Sequence, residues 1–514
     1  MSPLQLVRVL PELAQRVPSL GAWPLHDAAA TRELETRAAA ALPSHVLMQR
    51  AGLAVARLAQ AVAPHARRVW IAAGPGNNGG DGLEAAMHLH LAGREVSVSL
   101  AADGARLPAD AAASLQRAKA AGVRITDAIE APPPTPDALA IDALLGLGAS
   151  RPPGGNIAQA TDALNRGALP VLAIDLPSGL NASTGQAFEA CVRARWTLSL
   201  LTLKPGLFTS AGRDHAGEVW FDSLGVAGNA DAGCAWLPCR ETLLGLGPRR
   251  AHSQHKGSFG DVWIVGGAPS MVGAALLAAR ASLYAGAGRV YLHLLDASAA
   301  RFDPAQPELM LRDTLPDAAA LPGCTVVCGC GGGEAVAAHL PGLLVRAGRL
   351  LLDADALNAV AADAALAQRL SQRAAHGLAT LLTPHPLEAA RLLKQGAADV
   401  QADRLAAARA LAQRYQSVVV LKGSGSVICA PGAKPSVNPS GNAALASPGT
   451  GDVLAGWLGG LWSQGLSAHD AARLGTYQHG AAADGWLAER GAALALPAGA
   501  LVQRLALLPQ PTAT

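Results

Sequence analysis

Aromatic residues make up only 4% of the 514 residues and charged residues only 15%. The net charge of +3 comes without a run of lysine or arginine, so the sequence lacks the basic stripe that binds a nucleic-acid backbone. No stretch reaches the roughly 18 uncharged apolar residues that a membrane span needs, and the start is broken by Arg8, Pro11 and Glu12, unlike a signal peptide. We therefore predict a cytoplasmic protein that binds neither nucleic acid nor a membrane.

Paired cysteines are also missing. The seven cysteines are scattered, and the one cluster, Cys324, Cys328 and Cys330, lies in the run CTVVCGCGGG rather than in a CxxC arrangement. A free cysteine behaves as a small hydrophobic residue, so we predict buried thiols rather than a metal site.

A chain of 514 residues exceeds what one hydrophobic core normally supports, so two domains are expected. Half of the residues are hydrophobic and 56 are glycine, which is typical of helices packed on strands through glycine turns. The regular pattern stops in one polar stretch with little periodicity. This predicts an N-terminal domain at 1–228, a linker at 229–250 and a C-terminal domain at 251–514.

Apolar strands alternate with helices in both halves, which predicts an α/β fold with parallel sheets covered on both faces. In the first half, helices are predicted within 27–62 and at 83–92 and 109–121, and strands at 67–74, 94–100, 138–146, 170–179 and 194–201. In the second half, a helix is predicted at 271–286 and strands at 260–267, 289–295, 325–330, 349–355 and 417–423. Ligand sites of such sheets lie at the carboxyl ends of the strands.

The run GPGNNGGDG, Gly74–Gly82, follows a predicted strand and opens a helix. Its glycines allow a ligand to approach the backbone, and free N–H groups at a helix start attract anions, so the run predicts a phosphate-binding turn. Asn77, Asn78 and Asp81 offer side-chain ligands, which distinguishes the run from the GxGxxG fingerprint of dinucleotide-binding domains.

Two further predicted strand ends carry oxygen-bearing side chains, Asp142 after one and Asp175 with Ser178 after the next. An isolated aspartate in such a place usually caps a helix or forms a turn. Three strand ends that converge with amide, carboxylate and hydroxyl oxygens instead suit a hard cation or a proton-transfer site.

These motifs resemble, in the same order, the epimerase domain of the NAD(P)H-hydrate repair enzymes. The matching runs are GPGNNGGDG, IDALLGLGASRP, IDLPSG and LTLKPGLFTSAGRDHAGEVWFDSLG, over about residues 25–228. The resemblance implies interconversion of the R and S epimers at C6 of hydrated NADH and NADPH. It implies that Asp175 contacts the reacting end of the cofactor, and we take Asp175 as the catalytic residue, with Asp81 and Asp142 as the next candidates. It also implies that Asn78, Asp142 and Ser178 bind a potassium ion. It places the hydrated cofactor against Asn77, Asn78, Gly79, Gly80, Asp81, Gly146, Leu147, Gly148, Ala149, Ser150, Arg151 and Pro152.

The second glycine-rich run, SPGTGDVLAG, predicts the start of a helix with Asp452 in its first turn. Backbone N–H groups there can stabilise a transferring phosphoryl group while a carboxylate takes a proton from the attacking hydroxyl, which is phosphoryl-transfer chemistry. The alternative is that Asp452 only complements the helix dipole.

Three more predicted strand ends agree with the phosphoryl-transfer interpretation. The turn Lys422–Ser426 can hold nucleotide phosphates, and His385, between two prolines, is expected to contact a ligand. Asp353 and Asp355 either approach substrate or magnesium or cap the next helix.

The second half resembles the dehydratase domain of the same enzymes, which is similar to ribokinase-like carbohydrate and vitamin kinases. The matching runs are HKGSFGDVWIVGG, CGCGGG, LLDADALN, LTPHPLEAARLL, VVVLKGSG and SPGTGDVLAG, over about residues 245–508. The fold expected is therefore a Rossmann-like three-layer domain followed by a ribokinase-like three-layer domain.

The second resemblance implies that a nucleotide, used together with Mg²⁺, phosphorylates the C6 hydroxyl. ADP is favoured over ATP as the phosphoryl donor. Loss of phosphate then regenerates NADH or NADPH, and AMP is released. Asp452 would be the base. The nucleotide would contact Lys422, Gly423, Ser424, Gly425, Ser426 and Gly451, and the hydrate Ala274, Gly331, His385 and Asp452. The partners implied are these small molecules, and a homo-oligomer is expected.

The sequence departs from the family pattern at two positions. Cys330 stands where proline is expected, and Pro448 stands where a small flexible residue is commoner. Neither removes a proposed chemical group, but both can alter nucleotide affinity.

Three points stay open at the level of sequence. Lys204, in TLKPG, is either a phosphate-binding cation or a surface lysine ahead of a Pro-Gly turn. A ribokinase-like small-molecule kinase fused to a binding domain is the rival enzyme, and a non-catalytic scaffold is the rival from another class. The set Asn78, Asp142, Asp175 and Ser178 argues against a scaffold, which needs no converging oxygen ligands.

Overall fold

In a computed structural model the chain divides into two units, Met1–Trp236 and Leu237–Thr514. The structure describes residues 7–8, 21–101, 106–130, 135–148, 151–491 and 494–508. Each unit contains a sheet of mainly parallel strands together with helices, so the predicted α/β class is confirmed.

Most strands of the N-terminal unit belong to one sheet. The strands are β1 (Val7–Arg8), β2 (Ala22–Leu25), β3 (Arg68–Ala73), β4 (Glu95–Leu100), β5 (Arg124–Thr126), β6 (Ala138–Ala143), β7 (Val171–Ile174), β8 (Trp196–Leu200) and β9 (Glu218–Asp222). The helices are α1 (Ala28–Ala41), α2 (Val46–Val62), α3 (Asn77–Leu91), α4 (Ala109–Ala120), α5 (Gly155–Arg166) and α6 (Gly212–His215). The sheet order is β1-β9-β8-β7-β6-β3-β4-β5, with only the β1 and β9 pair antiparallel.

The order of these strands creates a crevice. After β3 the chain adds β4 and β5 on one side and then returns to place β6 against the other side of β3. Open α/β sheets bind ligands at such a reversal, outside the carboxyl ends of the two strands. The loops after β3 and β6 carry the first predicted site.

Alternate residues of β3 supply two cores because successive side chains of a strand point to opposite faces. Val69 and Ile71 lie in the core that includes residues of α2 and α3, whereas Trp70 and Ala72 lie in the core that includes Leu164 of α5. The sheet is therefore buried on both faces, which explains the near-continuous apolar character of its strands.

The predicted linker contains regular structure, namely β10 (Ala235–Pro238) and α7 (Arg240–Leu244). The further strands of the C-terminal unit are β11 (Asp261–Gly266), β12 (Arg289–Leu294), β13 (Met310–Leu311), β14 (Thr325–Cys328), β15 (Arg349–Leu352), β16 (Ala379–Leu382), β17 (Val418–Leu421), β18 (Val427–Cys429) and β19 (Ser436–Val437). Its further helices are α8 (Val272–Tyr284), α9 (Leu340–Arg346), α10 (Ala354–Ala362), α11 (Ala364–Gln372), α12 (Pro386–Leu393), α13 (Ala397–Ala402), α14 (Arg404–Tyr415), α15 (Thr450–Ser463), α16 (Ala468–Arg490) and α17 (Ala498–Ala506).

In this unit β11 to β17 are parallel in the order β13-β12-β11-β14-β15-β16-β17, and β18 and β19 continue the sheet as antiparallel strands. The reversal of order lies between β11 and β14. The antiparallel pair was not predicted, because the short runs after the Lys422–Ser426 turn do not resemble buried parallel strands.

Helix α15 packs closely on α8. A side chain at Gly456 would collide with the backbone of Ala278, and Ser282 Oγ donates a hydrogen bond to the Gly456 carbonyl at 2.8 Å. Gly459 in turn faces Val327 of β14. Small residues thus hold α15 against the sheet and fix the position of its first turn, which carries Asp452.

Among the helices that the structure describes, none combines the length and the apolar character needed to cross a bilayer.

Candidate functional sites

A cavity of about 500 Å³ opens at the carboxyl ends of β3 and β6. Seven of the predicted site residues line it: Asn77, Asn78, Asp81, Gly146, Leu147, Gly148 and Asp175. Arg151 and Pro152 are exposed and are not part of this lining, while Ala149 and Ser150 lie outside the described residues. Three separate strand ends therefore contribute to one cavity, as the sequence motifs predict.

The glycine run forms the first turns of α3, which begins at Asn77, six residues before the predicted start at 83. A side chain at Gly79 would collide with the carbonyl of Gly74, and one at Gly80 would lie 2.6 Å from the sulfur of Met48. Gly79 lets α3 start close to the end of β3, and Gly80 lets α3 pack against Met48 of α2, so the role of both glycines in the structure is close packing. The members of the run that line the cavity are Pro75, Gly76, the two asparagines and Asp81.

Asp175 has a left-handed backbone with φ of 66°, a conformation that a non-glycine residue adopts only at a cost. This turn aims its carboxylate at the ammonium of Lys204, with which it forms an ion pair. Asp175 Oδ1 also accepts from the backbone N–H of Leu200 at 3.1 Å. The strained turn therefore places a charged pair at the cavity wall.

Lys204 is fully buried, so the interpretation as a surface lysine is wrong. Its ammonium donates to the Leu200 carbonyl at 2.6 Å as well as to Asp175, and both residues line the cavity. A buried ammonium needs such partners, since its desolvation is costly. The geometry makes Lys204 part of the site.

Asp142 and Ser178 lie side by side beneath the cavity and are fully buried. Ser178 Oγ donates to Asp142 Oδ1 at 2.6 Å, and the Ser178 N–H donates to Oδ2 at 2.8 Å. Burial raises the pKa of Asp142 to about 6 in spite of these hydrogen bonds. The hydrogen bonds therefore do not fully offset the cost of burying the charged form of the Asp142 carboxylate.

Asn78 lies close to the same loop. Its Oδ1 is 3.4 Å from the position that a Cβ on Gly146 would take, and its Nδ2 is a buried atom without a hydrogen-bond partner. The neighbouring Leu144 and Leu145 donate their N–H groups to Asp142 and Ser178. One short loop thus contacts all three residues that the resemblance assigns to potassium.

Two more carboxylates at this cavity have raised pKa values. Burial and the charges of Asp175, Glu35 and Glu84 raise the pKa of Asp81 well above its ordinary range. Burial and the charge of Asp175 raise the pKa of Glu35, which lines the cavity from α1. Glu35 was not predicted because its helical segment carries no motif.

The second site lies at the N-terminus of α15. Asp452 occupies its first turn after Gly449, whose φ of 86° turns the chain into the helix. Burial, followed by the negative charge of Asp353, raises the pKa of Asp452 to about 6. A carboxylate in this state is a candidate proton acceptor near neutral pH.

Asp353 is at the N-cap position of α10, but its side chain does not cap the helix. Its Oδ1 instead accepts from Thr383 Oγ1 and from Lys422 Nζ, each at 2.7 Å. Asp355 accepts from the N–H of Gly333 at 2.8 Å. For Asp353, the interpretation as a side-chain cap is therefore wrong. The two carboxylates instead join three loops at the carboxyl edge of the sheet.

Residues Lys422–Ser426 connect the antiparallel strands β17 and β18 as a hairpin turn. Ser426 Oγ closes the turn by donating to the Gly423 carbonyl at 3.2 Å. Lys422 points away from the turn, so that its Nζ lies 3.5 Å from the position of a Cβ on Gly451. The predicted nucleotide-binding turn and the start of α15 are therefore adjacent.

His385 caps helix α12. Its Nδ1 accepts from the N–H groups of Leu387 and Glu388 at 3.1 and 3.3 Å, and the Glu388 carboxylate accepts from the His385 N–H at 2.8 Å. The side chain is nevertheless 46% exposed, which leaves a ring face open to a ligand. Capping and ligand contact are thus compatible at this residue.

The other predicted hydrate contacts, Ala274 and Gly331, are neighbours. A Cβ on Gly331 would lie 2.9 Å from that of Ala274 at the start of α8. This pair brings the loops after β11 and β14 together at the reversal of strand order, where a ligand is expected.

A buried histidine supports the start of α15. His479 of α16 has its Nε2 at 2.9 Å from the carbonyl oxygen of Thr450. Burial lowers its pKa from 6.5 to about 4, so the neutral ring donates this hydrogen bond. No sequence motif marked His479.

The folded state should lose stability as the pH falls from 6.5 towards 4, because only the unfolded chain binds a proton at His479 in that window. The loss over the window is about 3 kcal/mol. Urea unfolding of the C-terminal unit at several pH values measures it. His479→Gln, which cannot titrate, should remove this part of the pH dependence, whereas His376→Gln on the exposed surface should leave it unchanged. An identical pH dependence in wild type and His479→Gln would contradict the assignment.

Comparison with known proteins gives one family match within each unit. A family described as YjeF-related protein N-terminus matches residues 44–206, and one described as NAD(P)H-hydrate dehydratase matches residues 262–505. The bifunctional NAD(P)H-hydrate repair enzyme Nnr of Escherichia coli is 37% identical over 86% of this chain and 85% of its own length. The enzyme of the same name from Moorella thermoacetica is 36% identical over 88% and 89%.

A crystal structure of the ADP/ATP-dependent NAD(P)H-hydrate dehydratase of Bacillus subtilis, co-crystallised with ATP and Mg²⁺, is 27% identical and covers 52% of this chain and 94% of that chain, with a TM-score of 0.42. The two curated relatives span both units at more than a third identity. The chain therefore belongs to the family of bifunctional NAD(P)H-hydrate repair enzymes.

Proposed function

We propose that the N-terminal unit interconverts the R and S epimers of hydrated NADH and NADPH, and that the C-terminal unit dehydrates the S epimer with ADP or ATP. The observation that carries the proposal is the difference between the two sites. One offers a buried carboxylate and ammonium pair in a cavity, and the other offers a carboxylate with a raised pKa at a helix N-terminus.

Asp175 and Lys204 are the acid and base of the epimerase. Inversion at C6 requires a bond of that carbon to break and to form again on the opposite face. The Asp175 carboxylate can take the hydroxyl proton as the C6–N1 bond opens to an aldehyde, while the Lys204 ammonium gives a proton to N1. Reclosure of N1 onto the other face of the aldehyde, with both protons returned, gives the other epimer. Both groups are fixed, Asp175 by its left-handed turn and Lys204 by the Leu200 carbonyl. Asn77, Asn78, Asp81 and the loop Gly146–Gly148 also line the cavity that holds the hydrate.

A potassium ion fits the residues beneath this cavity. Asp142, Ser178 and Asn78 present oxygen atoms around one loop, and the raised pKa of Asp142 indicates that a nearby positive charge would stabilise its carboxylate. The ion would supply that charge and hold the loop after β6. These three residues would be its ligands.

Asp452 is the base of the dehydratase. It accepts the proton of the C6 hydroxyl as that oxygen attacks the terminal phosphoryl group, and the N-terminus of α15 stabilises the charge that develops on the phosphoryl oxygens. The phosphate ester is then a better leaving group than hydroxyl, and its departure together with a proton from C5 restores the C5=C6 double bond of the reduced ring. Ala274, Gly331 and His385 hold the hydrate from the facing loops.

Nucleotide phosphates fit between the Lys422–Ser426 hairpin and Gly451. The Lys422 ammonium lies next to the first turn of α15, so a phosphate there meets both a cation and helix N–H groups. Magnesium is expected to arrive with the nucleotide, because Mg²⁺ is usually held by substrate phosphates and water with few protein ligands. By family resemblance ADP is preferred over ATP.

The nucleotide requirement tests the dehydratase half of this proposal. Purified protein with S hydrate and Mg²⁺ should regain the absorbance of reduced nicotinamide with ADP, more slowly with ATP, and not with AMP or without nucleotide. One inorganic phosphate should appear for each reduced nicotinamide formed. A stable phosphorylated product without recovered absorbance would instead indicate a plain small-molecule kinase.

A further inference from the structure

Three potential metal ligands meet at the carboxyl edge of the C-terminal sheet. The Sγ of Cys330 and one carboxylate oxygen each of Asp353 and Asp452 all lie within 4.8 Å of one another. They come from three chain segments, the loops after β14 and β15 and the first turn of α15. The fold therefore brings together a thiol and two carboxylates that the sequence separates.

The backbone around Cys330 is held in a fixed turn. Cys330 is fully buried, and its carbonyl accepts from the N–H of Gly267 at 3.0 Å. The glycines on both sides, Gly329 and Gly331, have φ values of 120° and 58°, which hold the chain in a turn that other residues adopt poorly. The position of the Cys330 Cβ, from which the thiol projects, is therefore set by the backbone.

The two carboxylates are held as well. Asp353 is bonded to Thr383 and Lys422 instead of capping α10, and Asp452 is part of a helix packed on α8. If the thiol loses its proton, the three ligands carry three negative charges, and the adjacent Lys422 offsets one of them. A divalent cation neutralises the two that remain.

We propose that Cys330, Asp353 and Asp452 bind a thiophilic divalent cation, for which Zn²⁺ is the natural candidate. Thiolate selects zinc over magnesium, which prefers oxygen ligands only, and three protein ligands leave a fourth position for water. On binding, the S–H bond breaks, the sulfur keeps the electron pair for the metal, and the proton passes to solvent.

Occupancy of this site stops dehydration, a consequence that depends on the role proposed for Asp452. A carboxylate bound to the cation cannot accept the proton of the C6 hydroxyl. The cation proposed here differs from the magnesium that accompanies the nucleotide, because magnesium gains nothing from the sulfur of Cys330.

Cobalt is the direct probe, since Co²⁺ enters zinc sites and gives a strong near-ultraviolet charge-transfer band when it binds thiolate. Full-length protein without nucleotide should show this band on titration with Co²⁺, and one equivalent of Zn²⁺ should abolish it. Cys330→Ala and Cys330→Ser should lack the band, whereas Cys328→Ala, at the next buried cysteine of the same segment, should keep it. A wild-type spectrum without the band, or a band that survives Cys330→Ser, would overturn the proposal.

Circular dichroism shows whether each variant folds, and X-ray absorption of the zinc-loaded wild type gives an answer that needs no variant. One sulfur at about 2.3 Å with oxygen ligands at about 2.0–2.2 Å is the expected shell. A shell of nitrogen and oxygen alone contradicts the site.

The consequence for activity is measured separately. Zn²⁺ should inhibit the nucleotide-dependent recovery of reduced nicotinamide in wild type and in Cys328→Ala. The Zn²⁺ concentration for half inhibition should rise at least tenfold in Cys330→Ser. Each variant is compared with its own rate in the absence of zinc. Equal inhibition of Cys330→Ser means that the inhibitory role is wrong. If the protein has no dehydratase activity at all, the proposed function fails while the cobalt spectrum still decides the metal site.

Discussion

Asp452→Asn is expected to slow nucleotide-dependent recovery of NADH by about 10²- to 10⁴-fold, the usual contribution of a general base. The amide keeps the shape of the side chain but cannot accept the hydroxyl proton. Because Asp452 belongs to the C-terminal unit, interconversion of R and S hydrates should continue at the wild-type rate. Recovery is followed by absorbance, and epimerisation by chromatographic separation of the two hydrates.

A matched control is available one helix further along the chain. Asp470 occupies the same third position of α16, where its N–H donates to Ser467 Oγ and its carboxylate accepts from the same hydroxyl. Asp470→Asn removes a first-turn charge without touching the site, so it should leave recovery within about twofold of wild type. If both variants lose activity equally, Asp452 acts only through the helix dipole and its role as a base is wrong.

Asp175→Asn is expected to abolish epimerisation while leaving dehydration intact. With a mixture of hydrates and ADP, the variant should convert the S share at the normal rate and the R share only as fast as it epimerises in solution. The loss follows because the amide can neither accept the proton nor pair with Lys204. A time course of absorbance separates the two phases.

The single variant also leaves the Lys204 ammonium buried without its partner, which costs roughly 3–5 kcal/mol and can unfold the unit. The double variant Asp175→Asn with Lys204→Met removes the charge as well and should recover most of that stability without regaining epimerase activity. Asp162→Asn, which breaks an exposed ion pair of α5, is the control for losing a carboxylate. Rapid epimerisation in the double variant would exclude the pair from catalysis.

The positions of the two sites were predictable because they depend on local pattern. Each motif follows an apolar strand, and parallel sheets gather the carboxyl ends of their strands at one edge, so the motif residues that line the N-terminal cavity could be expected to meet. Asp452 in the first turn of α15 followed from the glycine run before it.

The contacts that define the chemistry were harder to predict from the sequence. Lys204 precedes a Pro-Gly turn, and nothing local shows that a long-range pairing buries it against Asp175, 29 residues earlier. Cys330 was predicted to be a buried thiol rather than a metal ligand. Its burial is confirmed, but the metal site proposed above departs from that prediction, because the approach of Cys330 to Asp353 and Asp452 depends on three loops meeting. Burial of charged groups is a property of the packed sheet, which short motifs do not encode.

The central claim is that one chain performs both reactions on one damaged cofactor. The most direct measurement incubates wild-type protein with equal amounts of R and S hydrates, Mg²⁺ and ADP, and follows reduced-nicotinamide absorbance to completion. Our account predicts recovery of both epimers at rates far above spontaneous epimerisation, with one phosphate released for each ring restored. Recovery that stops at the S share, or no recovery in the presence of nucleotide, would contradict it.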